Sequence, residues 1–131
     1  MSYELTHAQG ELLGRLRPAN TAAATIYQAD ELRTEITLIT ASLTPSAAGP
    51  VAVGIYHDDT GVVYGDNSIV TNPSMVKGAS AIVFQAQHPG SGIMIKPGGS
   101  LGVSSATASA VNFSVYGITS NIAERVRGMG R

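Results

Sequence analysis

Residues Ile93 to Ile118, IMIKPGGSLGVSSATASAVNFSVYGI, decide the fold class. Ile93/Ile95, Leu101/Val103 and Val111/Phe113/Val115 are three apolar runs with period two, and the residues between them are small or polar. Side chains two apart on a strand share a face, so each run predicts a strand with one face on a core. Pro97-Gly98-Gly99 and the small, polar Ser104–Ser109 run mark the turns between them. The expectation is three consecutive antiparallel strands, a β-meander.

Upstream, the same logic gives a first strand over Glu11 to Leu16, stopped by Pro18 and the Asn20-Thr21 turn, and a second over Ala24 to Gln28. Arg33 to Leu43 competes between helix, with Asp30 as N-cap, and strand; the β-branched density of TEITLIT decides for strand. On a strict alternation Ile36 and Leu38 share one face, and Glu35, Thr37, Ile39 and Leu43 the other. Val51 to His57 alternates clearly, and Asp58-Asp59-Thr60-Gly61 is expected to turn it into Val62-Val63-Tyr64. Gly65 to Gly78 reads as a long irregular stretch, and long loops tend to serve function or contacts. Ala79 to Gln87 is a further strand, with Ile82, Phe84 and Ala86 opposite Ala81, Val83 and Gln85. The prediction is an all-β, antiparallel β-sandwich of about eight short strands, jelly-roll or Greek-key-like.

The chain has 131 residues, which allows a single domain spanning 1–131. Residues 1–9 are polar and unpatterned and read as a short N-terminal arm; residues 121–131 read as a basic C-terminal arm. Charged residues make up 13%, about half of the ~25% usual in soluble domains, and there are two Phe, five Tyr and no Trp. A surface so poor in charge favours association, so a homo-oligomer is expected. The net charge of −1 argues against nucleic acid as a partner, because counterion release needs a basic footprint. No cysteine is present, which removes disulfides, thiolate metal sites and a cysteine nucleophile. MSYELTHAQGELL lacks the basic-then-apolar order of a signal peptide, and no window reaches about 20 apolar residues. Synthesis in a cytoplasm and no membrane partner are the expectations.

Several motifs invite chemistry. Gly98-Gly99-Ser100-Leu101-Gly102 matches G-x-S-x-G, but that motif works only where a helix follows the serine, and here a strand pattern follows. His57-Asp58-Asp59 with Asp66 offers oxygen and imidazole ligands, yet lacks the alternating acids and later glutamate of a calcium loop. Asp and Gly are also ordinary turn residues. His7, His57 and His88 have no ligand spacing. Asn112-Phe113-Ser114 is a glycosylation sequon within a predicted strand, and is discounted. No catalytic residue, cofactor or metal is therefore expected, and the chain reads as a non-enzyme. Tyr56, Tyr64 and Tyr116 remain possible sugar platforms. Arg125, Arg127 and Arg131, close together near the end of the chain, are the candidate partner-binding residues, suited to an acidic surface on a neighbouring subunit.

The order of motifs LLGRLRPANT, ATIYQ, TEITLITASLT, VGIYHDDTGVVY and IKPGGSLGVSSATASAVNFSVYG, over Leu12 to Gly117, resembles small all-β virion proteins of tailed bacteriophages. The resemblance implies a non-enzymatic structural protein of the virion, foremost a capsid decoration (cement) protein on the capsid surface. It would bind the major capsid protein across subunit junctions and itself as a homotrimer. The alternative is a tail or fibre component contacting host-surface glycans.

Overall fold

The structure, a computed structural model, describes residues 10–45, 47, 49–65, 68–70, 74–77, 81–88 and 90–120. Nine strands follow one another: β1 Glu11–Leu16, β2 Ala24–Gln28, β3 Arg33–Leu43, β4 Val51–Asp58, β5 Ser74–Val76, β6 Ala81–Gln85, β7 Ile93–Ile95, β8 Ser100–Ser105 and β9 Val111–Ser120. One sheet runs β1-β9-β3-β6, with β7 also on β3; the other runs β2-β8-β4-β5. All pairings are antiparallel. β6 meets residues 38–41 of β3 and β7 meets residues 34–36, so the two lie end to end as one interrupted edge. Nine strands thus occupy eight positions, where about eight strands were expected. The chain switches sheet at nearly every connection, which is the connectivity of a jelly roll.

The meander is not formed. β7 and β9 flank β3 in the first sheet, whereas β8 lies between β2 and β4 in the second. Period-two alternation reports that one face is buried but not which sheet carries it. The 96–99 and 106–110 connections cross the ~10 Å between facing sheets. The turns nonetheless fall within the stretches the sequence marks, except that Ser104 and Ser105 are the last residues of β8. Pro97 and Gly98 occupy the centre of a turn closed by Gly99 N–H to the Lys96 carbonyl at 2.9 Å, and Gly98 has φ +87°. That is type II geometry, with proline at the second position and glycine where φ is positive.

Three other expectations are corrected. Val62-Val63-Tyr64 is not a strand; β5 instead comes from the stretch read as irregular. Ile36 and Ile39 are both fully buried, because the register against β9 jumps from Ile36↔Gly117 to Leu38↔Tyr116 and leaves Thr37 as an extra residue. This bulge puts Leu38 on the outer face instead of beside Ile36. Thr37 is buried there, and its hydroxyl donates to the Tyr116 carbonyl at 3.3 Å. β6 behaves likewise: Val83 is skipped between Phe84↔Ile39 and Ile82↔Thr40, so Phe84 packs on the core while Ile82 is exposed.

The core lies between the sheets. Ile36, Ile39, Val111, Phe113 and Val115 come from the first, and Val53, Ile55, Leu101 and Val103 from the second. Each contributes about 1.5–3 kcal/mol relative to exposure. Tyr27, on β2, reaches between the layers and shares a 2.7 Å hydrogen bond with the buried Thr34 of β3. No helix of the described residues is long and apolar enough to cross a membrane.

Candidate functional site

Two surfaces compete for function: the outward face of each sheet. On the second sheet, Thr25, Gly102 and Tyr56 form one row across β2, β8 and β4, with Gln28, Ser100 and Asp58 on adjoining positions. The segment after β4 folds back across this face. Its Tyr64 ring lies over Gly102, where an added Cβ would come within 2.7 Å of the ring. Glycine is required at this position by that close approach.

The hydroxyl of Tyr64 is 2.6 Å from Ser100 Oγ and 2.9 Å from Thr25 Oγ1. Ser100 donates its own proton to the Gly61 carbonyl, so the order along the chain is Thr25 to Tyr64 to Ser100 to Gly61. Every hydroxyl in it both donates and, beyond the first, accepts, an arrangement that reinforces each bond. Ser100 is therefore a buried strand residue that fastens the loop. The G-x-S-x-G match forms no strand–turn–helix elbow.

Asp58 anchors the start of the same loop. Its Oδ1 accepts from Thr60 N–H at 3.1 Å and its Oδ2 from Val63 N–H at 2.8 Å. These backbone donors, Thr60 first, hold its carboxyl below the ordinary value of 3.8. Asp59 Oδ1 lies 3.2 Å from His57 Nε2, off the direction of a hydrogen bond. The His57-Asp58-Asp59 motif is thus a turn whose first carboxylate is already occupied by amides. Asp66 lies outside the described residues, and among those described no three His, Asp or Glu side chains cluster as a metal site.

Of the three tyrosines, Tyr56 and Tyr64 are brought together, with ring centroids 5.9 Å apart and planes tilted by 49°. Tyr116 is on the other sheet's outer face. Tyr64 is committed to the loop, but Tyr56 borders a cavity of about 200 Å³ with Thr21, Gly54, Ser104 and Ala106. Ser104 Oγ lies 3.2 Å from the Tyr56 hydroxyl.

The outer face of the first sheet is built differently. The register sets Leu12, Tyr116, Leu38 and Gln85 in one row, Arg15, Ser114, Thr40 and Ile82 in the next, and Ile118, Glu35 and Met94 in a third. Leu12 is 43%, Ile82 61% and Met94 37% exposed. The Glu35 carboxylate is turned to the interrupted edge, where Oε2 accepts from Gly90 and Gly92 N–H at 2.8 Å each.

At the β1 side of this face Arg15 and Arg17, with Asn112 and Ser114, line a cleft of about 400 Å³. This pair was missed in the sequence, although the R-x-R spacing around Leu16, the last residue of β1, places two guanidiniums two residues apart in extended chain. Asn112, weighed earlier only as a sequon, is an exposed β9 residue beside them. Arg125, Arg127 and Arg131 lie outside the described residues, as do both predicted arms, residues 1–9 and 121–131. His7 is also outside, and His88 is exposed, away from His57 in the first sheet's interrupted edge. Compared with known proteins, the chain matches no family model, no curated protein and no solved structure.

Proposed function

We propose that the chain is a structural virion protein of a tailed bacteriophage, a capsid decoration (cement) protein that binds major capsid subunits across their junctions. The observation that supports this reading is the outer face of the β1-β9-β3-β6 sheet. Leu12, Leu38, Ile82, Met94, Tyr116 and Ile118 lie on it, interrupted by few charged side chains. Such a face is suited to burial against another protein. Four strands about 4.8 Å apart and three to four rows about 6.8 Å apart give an area on the order of 400–500 Å². A stable pair needs about 800 Å² per partner, so one such contact is weak. A homotrimer, favoured by analogy with cement proteins, would hold through simultaneous contacts.

The test is to mix purified protein with expanded heads and count bound copies. Stoichiometric, symmetric binding is expected, and Leu12→Ser with Ile82→Ser should reduce it at least tenfold while changing stability by under about 0.5 kcal/mol. Binding to tails alone would overturn the assignment. A second reading, a tail or fibre component contacting host glycans, rests on the cavity beside Tyr56. Reproducible glycan-array binding that Tyr56→Ala abolishes would favour it over the first. Tyr64→Ala is a poor probe here, because that side chain fastens the loop.

A further inference from the structure

We infer that the Arg15/Arg17 cleft is a binding site for an acidic, extended peptide segment of another protein. Arg15 closes the outer-facing positions of β1 and Arg17 follows two residues later, before the buried Pro18. Two residues on an extended chain span about 6.8 Å, and carboxylates at alternate positions of an extended partner repeat at the same distance.

The base of the cleft is fixed. Arg15 is in register with Ser114, and Leu16 with the buried Phe113, so both sides of the cleft are tied to β9. Just beyond, the Pro18 carbonyl accepts from Ser109 N–H at 2.8 Å. Asn112 and Ser114, both outward on β9, add an amide and a hydroxyl donor to the two guanidiniums. A site of this composition offers donors for oxyanions, and the planar guanidinium matches a carboxylate bidentately.

Among the described residues no acidic side chain neutralises this charge. Across the sheet from Arg15 the register partners are Ser114, Thr40 and Ile82, none acidic. Glu35, the acid on the same outer face, is in the third row and engaged with Gly90 and Gly92. Among the described residues the one close approach of a basic side chain to a carboxylate is His57–Asp59, on the other sheet. A protein with net charge −1 disfavours a long polyanion, so a short acidic peptide fits better than nucleic acid.

This inference does not rest on the capsid assignment, and the free protein tests it. A peptide with glutamate at alternate positions, Glu-Ser-Glu-Ser-Glu, is titrated into isotopically labelled protein, and amide shifts are followed. Saturable shifts at Arg15, Arg17, Asn112 and Ser114 are expected. Arg15→Gln with Arg17→Gln should weaken the peptide at least tenfold, with the remaining spectrum unchanged as proof of folding. Arg15→Lys should fall between, since it keeps charge and loses the fork. Lys77→Gln with Lys96→Gln, exposed cations elsewhere, should leave affinity within twofold. Absence of saturable shifts, equal loss in the lysine variant, or oligothymidylate binding the cleft as tightly as the peptide would each overturn the proposal.

Discussion

The two outward faces of the sandwich solve the same problem differently. Both belong to sheets whose inner sides share one core, and both are poor in charge. The middle of the second sheet is covered by its own chain: the loop after β4 lays Tyr64 on Gly102 and fastens it to Thr25 and Ser100, while Val63 in that loop and Met75 on β5 stay exposed. The first sheet keeps Leu12, Ile82 and Met94 exposed among the described residues. Covering a face in cis takes particular residues, namely a glycine under the ring and hydroxyls around its tip. The first sheet lacks them, and among the described residues its apolar rows run uncovered across β1, β9, β3 and β6, which is why the proposed function is placed there.

The largest expected effect on this contrast comes from Gly102→Val. The added side chain meets the Tyr64 ring, and overpacking of this kind costs roughly 1–3 kcal/mol. Losing a flexible glycine from the unfolded chain offsets less than about 1 kcal/mol of that. Urea unfolding should show net destabilisation, and limited proteolysis should cut within residues 59–65. Wild-type stability and resistance would mean the cover is loose and the two faces are alike.

A smaller effect separates the faces with one atom. Tyr64→Phe removes the hydroxyl between Thr25 and Ser100 and should cost about 1 kcal/mol. Tyr116→Phe, on the open face, should change stability by less than about 0.5 kcal/mol. Equal losses in the two variants would erase the distinction drawn between committed and uncommitted tyrosines.

The smallest effect concerns pH. The Asp58 carboxyl is held below its ordinary 3.8 by the Thr60 and Val63 amides, so the folded protein prefers it ionised. Its contribution to stability is complete above 3.8 and is lost as pH falls through the lower, folded value. The side chain is exposed, so the effect is small, and Asp58→Asn should flatten the acid limb of the stability profile slightly. An acid limb steeper in Asp58→Asn than in wild type would show that this carboxylate does not hold the loop.

The candidate sites were unevenly legible. Arg15 at the end of β1 and Arg17 just after it are two apart, a spacing visible in the sequence, but Asn112 and Ser114 join them only because β9 pairs with β1. Tyr56 and Tyr64 stand out as aromatics, yet which of them is free depends on the path of the loop. Ser100 drew attention through its glycines, and the true reason for those glycines is the ring above Gly102 and the turn at Gly98.

What the amino-acid order determined by itself was local: strands over 11–16, 24–28, 33–43 and 51–57, the turn at Pro97-Gly98, and an all-β sandwich with few charges. Those follow from short-range sterics and from alternation, which any strand with one buried face must show. Only the tertiary structure decided that the three runs of Ile93–Ile118 belong to two sheets, that Thr37 and Val83 bulge, and that the loop after β4 lies on one sheet face while Leu12 and Ile82 stay exposed on the other among the described residues. Strand partners and the path of a loop are set by contacts between residues far apart in the chain. A period of two carries no record of which neighbour a strand will choose.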